Sequence, residues 1–166
     1  IYISDDNGTS NNYSTSASTV FAYRDITVPA GTTMATLTYN WKGMGDGSFD
    51  FLQVWTVPVS FSPTAGTAIV GGGGRTQIGG NLSQQGAWQN YFNQNVNLTA
   101  FAGNTVRLVF QWKNDGFTFN QTPAAVDNIN LIIPTCQVPT NVAINTVTTT
   151  TANITWTAAN PVPAGG

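Results

Sequence analysis

Short runs of β-branched and aromatic residues recur along this chain, and each run is bounded by glycine, proline, asparagine or aspartate. This pattern predicts β-strands, because such side chains fit a pleated, half-buried surface and the bounding residues favour turns. The runs cover residues 20–28, 35–41, 49–57, 88–98, 105–113 and 125–133. No segment keeps a helical period for longer than a turn or two. The chain is therefore predicted to be all-β, an antiparallel β-sandwich of the jelly-roll type.

Apolar and polar residues mostly alternate along residues 37–41 and 106–112. Such alternation places one face of a strand on the core and the other in solvent. It predicts that Trp41 and Trp112 are core residues, and Trp156 falls at a similar inward position further along the chain. The four consecutive glycines at residues 71–74 lack the Lys-Ser/Thr of a phosphate loop, so they are interpreted as a surface loop.

A junction near Pro134 divides the chain into two parts. Residues 1–133 are predicted to form one complete domain, and residues 134–166 a linker with the start of a second domain. Residues 139–156 alternate small polar and apolar side chains and end in NITW, which resembles the first two strands of a fibronectin type III domain.

The low charge of the chain and its lack of histidine argue against several classes of function. Charged residues make up 7% of the chain, the net charge is −2 and there is no histidine. A chain without a positive field is not expected to bind nucleic acid, and serine or cysteine nucleophiles usually need a histidine base. Cys136 is the single cysteine, so no intrachain disulfide can form. No apolar run approaches the length of a membrane helix, so membrane insertion is not expected.

Four runs carry a family resemblance: YRDITVP at residues 23–29, FDFLQVW at 49–55, VFQWKNDG at 109–116 and AVDNI at 125–129. Together they resemble the jelly-roll modules of Bacteroidetes surface proteins, which are related to cleaved-adhesin and MAM-like domains. The resemblance implies a secreted or cell-surface location, neighbouring fibronectin type III repeats and export by the type IX secretion machinery. It also implies a structural calcium ion in many related modules.

Oxygen ligands suit calcium, and Asp5-Asp6-Asn7-Gly8 offers an acidic group near the start of the chain. Pairing between the first and last strands of a jelly roll would bring Asp127 towards that group. Asp5, Asp6 and Asp127 are therefore the candidate calcium ligands. The same residues also fit an ordinary turn before Asn-Gly and a strand-end cap at Asp127.

Glycan-binding modules present exposed aromatic rings beside amides and other polar groups. Phe117 and Phe119 lie in the polar segment 114–122 with Asn120, so they are candidates for exposure. This segment, together with Trp88 and Tyr91, is the predicted contact surface for a glycan or surface polymer.

The sequence thus predicts a non-catalytic adhesin module that binds glycans or surface polymers. Two alternatives remain open: a structural spacer or stalk module, and an accessory domain of a secreted hydrolase. A catalytic carboxylate pair is disfavoured because Asp46 and Asp115 lie in turn signatures and Asp25 follows Arg24 at a strand edge.

Overall fold

The computed structural model describes residues 1–117, 120–134 and 140–157. Its strands are β1 (Ser18–Thr27), β2 (Met34–Gly43), β3 (Phe51–Pro58), β4 (Thr76–Leu82), β5 (Gln85–Asn97), β6 (Thr105–Asn114), β7 (Ala125–Ile132), β8 (Thr140–Val147) and β9 (Ala152–Thr157). The remaining regular element is a short 3-10 turn at Thr99–Phe101.

The six runs predicted as strands all form strands, namely β1, β2, β3, β5, β6 and β7. Strand β4 was not predicted, because Gly79 and Gly80 interrupt its pattern. It forms through pairing with β3, where Ile78 lies opposite Val54 and is 6% exposed in the core. Tertiary pairing here overrides a weak local preference.

Strands β1 to β7 form two packed sheets, one in the order β1-β6-β3-β4 and the other in the order β5-β2-β7. All neighbouring pairs are antiparallel. Strand β3 pairs with β4, β2 with β5 and β1 with β6, so the pairing is nested. A long antiparallel ribbon that rolls up into two sheets gives this nesting, which is the jelly-roll arrangement. The predicted all-β antiparallel sandwich is confirmed.

The core lies between the two sheets, where alternate residues of β2 and β6 meet. Tyr39 packs edge-on against Phe110 with ring centroids 5.4 Å apart. Trp41 and Trp112 are 5% and 1% exposed, which confirms their predicted core positions. Burial of each such side chain contributes about 1.5–3 kcal/mol to folding, so this layer fixes how the two sheets face each other.

A second, smaller core covers the outer surface of the four-stranded sheet. It contains Trp55, Val57, Ile69 and Val109. The connection between β3 and β4 lies over this surface, and the Ile69 amide donates a 2.7 Å hydrogen bond to the side-chain carbonyl of Gln111. This connection contains residues 71–74, which are exposed, and Gly72 pairs with the partly buried Arg75 in a reverse turn. The outer face of the four-stranded sheet is thus covered over β3 and β6, whereas Tyr23 of β1 stays 54% exposed there.

Strands β8 and β9 pair with each other as an antiparallel hairpin. This confirms the two strands predicted within residues 139–156. Trp156, predicted to face a core, is 59% exposed in the hairpin. A two-stranded hairpin has no second layer to bury such a ring, and a further sheet is needed for that. Cys136 and residues 158–166 lie outside the described residues.

Candidate binding face and acidic cluster

One face of the three-stranded sheet is built from side chains that alternate with core residues. Leu37 and Tyr39 of β2 are buried, so Thr38 and Asn40 point away from the core. The register sets Thr38 opposite Phe92 and Asn130, and it sets Asn40 opposite Asn90 and Asp127. Directly opposite residues share a face of the sheet. We call this surface the outer face, and its members are Thr38, Asn40, Lys42, Trp88, Asn90, Phe92, Asp127 and Asn130.

Two aromatic rings stand on the outer face. Trp88 is 51% exposed and Phe92 is 61% exposed. They are four residues apart on β5, so they lie on the same side of the strand, about 13 Å apart along it. The Lys42 ammonium lies 5.2 Å from the centre of the Trp88 ring, a cation–π contact that helps to orient the indole.

Polar groups fill the space between and beside these rings. The Asn90 amide donates a 3.1 Å hydrogen bond to the side-chain oxygen of Asn40. Asp127 is exposed, and its Oδ1 accepts a 2.8 Å hydrogen bond from the Asn128 amide. Each of these side chains keeps further donor or acceptor capacity. The outer face therefore offers amides, a carboxylate and an ammonium beside two apolar rings.

Tyr91 does not share this surface with Trp88. Residues three apart on a strand point to opposite faces, and Tyr91 stacks on the buried Tyr39 with ring centroids 4.6 Å apart. Its hydroxyl accepts a 3.5 Å hydrogen bond from the Asn93 amide. Tyr91 is thus a partly buried packing residue, which the sequence prediction had placed with the contact rings.

The predicted loop residues lie between β6 and β7. Phe117 is 84% exposed, as expected for a contact ring. Asn120 uses its side-chain amide to donate a 3.2 Å hydrogen bond to the Gly45 carbonyl, so this group holds the loop in place. Phe119 lies outside the described residues. The predicted contact residues are therefore divided between the outer face and this loop.

An acidic cluster forms where β3 begins and β6 ends. Carboxylate oxygens of Asp46, Asp50 and Asp115 all lie within 4.8 Å of one another. Asp46 accepts hydrogen bonds from the Phe49 and Asp50 amides at 2.9 and 2.8 Å. The Asp115 amide donates a 3.0 Å hydrogen bond to Asp50. Three convergent carboxylates are an oxygen-rich group of the kind that holds hard cations.

Asp50 is the buried member of the acidic cluster, with 0% of its surface exposed. Burial raises the pKa of its carboxyl group, and the nearby Asp46 and Asp115 act in the same direction. Hydrogen bonds from Tyr13 and the Asp115 amide oppose that shift. Within the described residues Asp50 has no salt-bridge partner, so its charge is stabilised by hydrogen bonds alone.

The predicted calcium ligands are not brought together. Residues 1–3 do pair with the last strand of the sandwich, through a Tyr2–Ala125 bridge. Because this pairing is antiparallel, the chain carries Asp5 and Asp6 away from Asp127, which lies on the outer face. Asp6 instead accepts hydrogen bonds from the Ser4 and Ser10 hydroxyls, and these bonds lower its pKa to about 2. That arrangement matches the alternative turn interpretation.

No protein-family model and no curated protein matches the chain. The resemblance to cleaved-adhesin and MAM-like modules therefore stays a prediction. In the part of the chain that the structure describes, no helix has the length and hydrophobicity required to cross a lipid bilayer.

Proposed function

We propose that the sandwich formed by residues 1–133 is a non-catalytic module that binds a glycan chain across the outer face. One observation carries this proposal: Trp88 and Phe92 are exposed on the same side of β5 with amide side chains between them. The opposite sheet has its outer surface covered by the β3–β4 connection. The exposed ring that the opposite sheet keeps on that surface, Tyr23, already has the Arg107 guanidinium 4.3 Å from its centre.

The chemistry of a sugar suits this surface. A pyranose ring has an apolar C–H side that stacks on an aromatic ring, and its hydroxyls both donate and accept hydrogen bonds. Two rings about 13 Å apart would contact separate sugar units of one chain. Asn40, Asn90 and Asp127 would then bond to the hydroxyls between them. An extended, uncharged or weakly charged polysaccharide is the ligand class that this arrangement favours.

The proposal that the module is non-catalytic is supported by the state of its carboxylates. Glycoside hydrolysis needs two carboxyl groups that reach the bond to be cleaved. In the acidic cluster, Asp50 is fully buried, and its two oxygens accept hydrogen bonds from Tyr13 and the Asp115 amide. A substrate could not reach that group without opening the core.

The cellular location of the module, its export route and its neighbouring domain are also proposals. On the resemblance stated above, the module belongs to a secreted or cell-surface adhesin, exported by the type IX machinery and followed by a fibronectin type III-like domain. The hairpin of β8 and β9 is consistent with the start of another β-domain. Calcium binding stays a prediction, and the acidic cluster, rather than Asp5, Asp6 and Asp127, contains the carboxylates that lie close enough together for it.

Binding to a glycan array tests the proposal. We expect the 166-residue chain to bind a defined polysaccharide, and the variants Trp88→Ala and Phe92→Ala each to bind about fivefold more weakly, since a stacked ring contributes about 0.5–1.5 kcal/mol. Phe117→Ala is the matched control, because it removes an exposed ring from the predicted loop surface. Loss of binding in Phe117→Ala alone would move the site to that loop.

Two other outcomes would favour the alternatives. If no glycan binds, the spacer or stalk function becomes the better explanation for a polar surface of low charge. A hydrolase encoded beside this segment, together with binding of that hydrolase's substrate, would favour the accessory function.

A further inference from the structure

Strand β5 is a free edge of the three-stranded sheet. It pairs with β2 on one side, and in the part of the chain that the structure describes no backbone hydrogen bond joins its other side to another strand. With 13 residues it is also the longest of the described strands. A sheet edge presents unpaired backbone N–H and C=O groups that can bind an added strand.

The opening along β5 does not come from either end of the sequence. Residues 1–3 pair with β7 through the Tyr2–Ala125 bridge, and β7 itself ends at Ile132. Strand β7 lies on the other side of β2 from β5. Chain that continues from Ile1 or from Pro134 therefore starts at the β7 side of the sheet. The free edge of β5 is thus a consequence of the strand order.

Strand β5 lacks the side chains that usually prevent edge-to-edge pairing. Natural edge strands are protected by charged residues, prolines, bulges or short length. In the other sheet, edge strand β1 carries Arg24 and Asp25, and edge strand β4 has seven residues and a left-handed Gly79 with a φ of +71°. By contrast, β5 contains no proline and no charged residue, and it lies within an uncharged stretch that covers residues 76–106.

The accessible part of this edge is the middle of β5. The register with β2 is unbroken along residues 89–93 and shifts on either side. Towards one end, the Asn95 amide donates a 2.8 Å hydrogen bond to the Asn93 side chain. Towards the other, the Ala87 carbonyl accepts a 2.9 Å hydrogen bond from the Gln85 side chain. Because these backbone groups are already bonded within β5, we call residues 88–92 the open segment.

The open segment is self-complementary about Asn90. In an antiparallel pair of two copies centred on this residue, Trp88 of each copy lies opposite Phe92 of the other, and Asn90 lies opposite Asn90. All three side chains belong to the outer face, and directly opposite residues interact there, an aromatic pair contributing about 0.2–1 kcal/mol. A side-chain amide both donates and accepts hydrogen bonds, so two asparagines can bond to each other. No like charges meet along this contact.

We propose that two copies of this chain pair antiparallel along the open segment, with a two-fold axis at Asn90. The contact is isologous, and it joins the two three-stranded sheets into one continuous sheet. A two-fold axis that relates antiparallel neighbours within one sheet is perpendicular to that sheet, so both outer faces lie on the same side. The pairing does not depend on glycan binding, but it would let one glycan chain contact the outer faces of both copies.

Sedimentation equilibrium of the 166-residue chain without glycan tests the proposal. We expect a reversible monomer–dimer equilibrium at concentrations up to about 500 µM, because a contact of one strand pair is small and small interfaces are weak. Asn90→Lys and Asn90→Asp should each weaken the dimer about fivefold, since each sets like charges opposite one another. An equimolar mixture of these two variants should restore dimerisation, because opposite charges then meet. Asn95→Lys is the matched control, since it adds a charge to β5 outside the open segment and should leave the dimer unchanged.

Three results would overturn the proposal. They are a chain that stays monomeric over the whole concentration range, a dimer that Asn90→Lys leaves intact, and a mixture of the two Asn90 variants that dimerises no better than either alone. Thermal melting checks that each variant folds like the unmodified chain. Glycan binding by a monomeric chain would leave the proposed function in place, so the two proposals fail separately.

Discussion

The Tyr13 hydroxyl donates a 2.8 Å hydrogen bond to Oδ2 of Asp50, the fully buried carboxylate that precedes β3. The Tyr13 ring packs edge-on against Trp112, with ring centroids 5.4 Å apart. The same hydroxyl accepts a 3.0 Å hydrogen bond from the Asn120 amide. One side chain thus ties the N-terminal segment to the core, to the acidic cluster and to the loop before β7.

Tyr13→Phe should lower the free energy of unfolding by about 1–3 kcal/mol, because it leaves a buried carboxylate without one of its donors. Urea denaturation at neutral pH measures the change. Tyr39→Phe is the matched control: the Tyr39 hydroxyl is buried without a hydrogen-bond partner in the described structure, so its removal should be close to neutral. Equal losses in the two variants would contradict the assigned role of Tyr13.

Asp50 should make folding less favourable as the pH rises. Burial raises its pKa above the ordinary value of 3.8, so the folded state holds this proton more tightly than the unfolded chain does. The stabilisation from protonation is complete below the unfolded pKa and is lost as the pH rises through the raised one. The unfolding free energy of Asp50→Asn relative to the unmodified chain should therefore increase from about pH 3 to about pH 7. A difference that is flat or decreases with pH would show that Asp50 titrates normally.

Calcium binding, if it occurs at the acidic cluster, should be visible as stabilisation. A cation at a hundredfold excess over its Kd adds about 2.7 kcal/mol to the free energy of unfolding. We expect calcium to raise the melting temperature relative to chelator, Asp115→Asn to remove that increase, and Asp127→Asn to keep it. Identical melting with calcium and with chelator would rule out a calcium site at the acidic cluster.

Arg107 links β6 to the connection that covers the four-stranded sheet. Its guanidinium binds Asp25 through two nitrogens, donates a 2.9 Å hydrogen bond to the Phe61 carbonyl and lies 4.3 Å from the Tyr23 ring centre. Lysine carries a single ammonium group, so it cannot make these contacts to Asp25, Phe61 and Tyr23 at the same time. Arg107→Lys should cost about 1 kcal/mol, since Asp25 is partly exposed. Arg75→Lys, on the exposed turn, should change chemical denaturation by less than about 0.5 kcal/mol, and a similar cost for both would contradict this account.

Much of the fold was predictable because its strands carry their own signals. Alternation along residues 37–41 and 106–112 correctly placed Trp41 and Trp112 in the core. Strand β4 was not predictable, because its glycines give no local signal and it forms by pairing with β3 across the long connection between them. The exposure of Trp156 likewise depends on a second layer that the β8–β9 hairpin does not contain.

The candidate sites depended on register, which local patterns do not specify. Once β3 is paired with β6, Phe51 lies opposite Lys113, and Asp50 and Asp115 follow at the same end of the sheet. The β3–β6 pairing would have predicted the acidic cluster. From the sequence alone, Asp46 and Asp115 were instead assigned to turns. For the outer face, strict alternation along β5 would have grouped Trp88 with Phe92 and separated Tyr91, a signal that was present in the sequence.

The most direct test of the proposed function locates the bound glycan on the protein by NMR. The polysaccharide that binds on the array is titrated into the isotopically labelled chain, and the indole and side-chain amide signals are followed. The account predicts shifts for the Trp88 indole N–H and for the side-chain amides of Asn40 and Asn90, with the Trp156 indole unchanged. Shifts confined to the loop around Phe117, or binding that leaves the Trp88 signal unmoved, would contradict it.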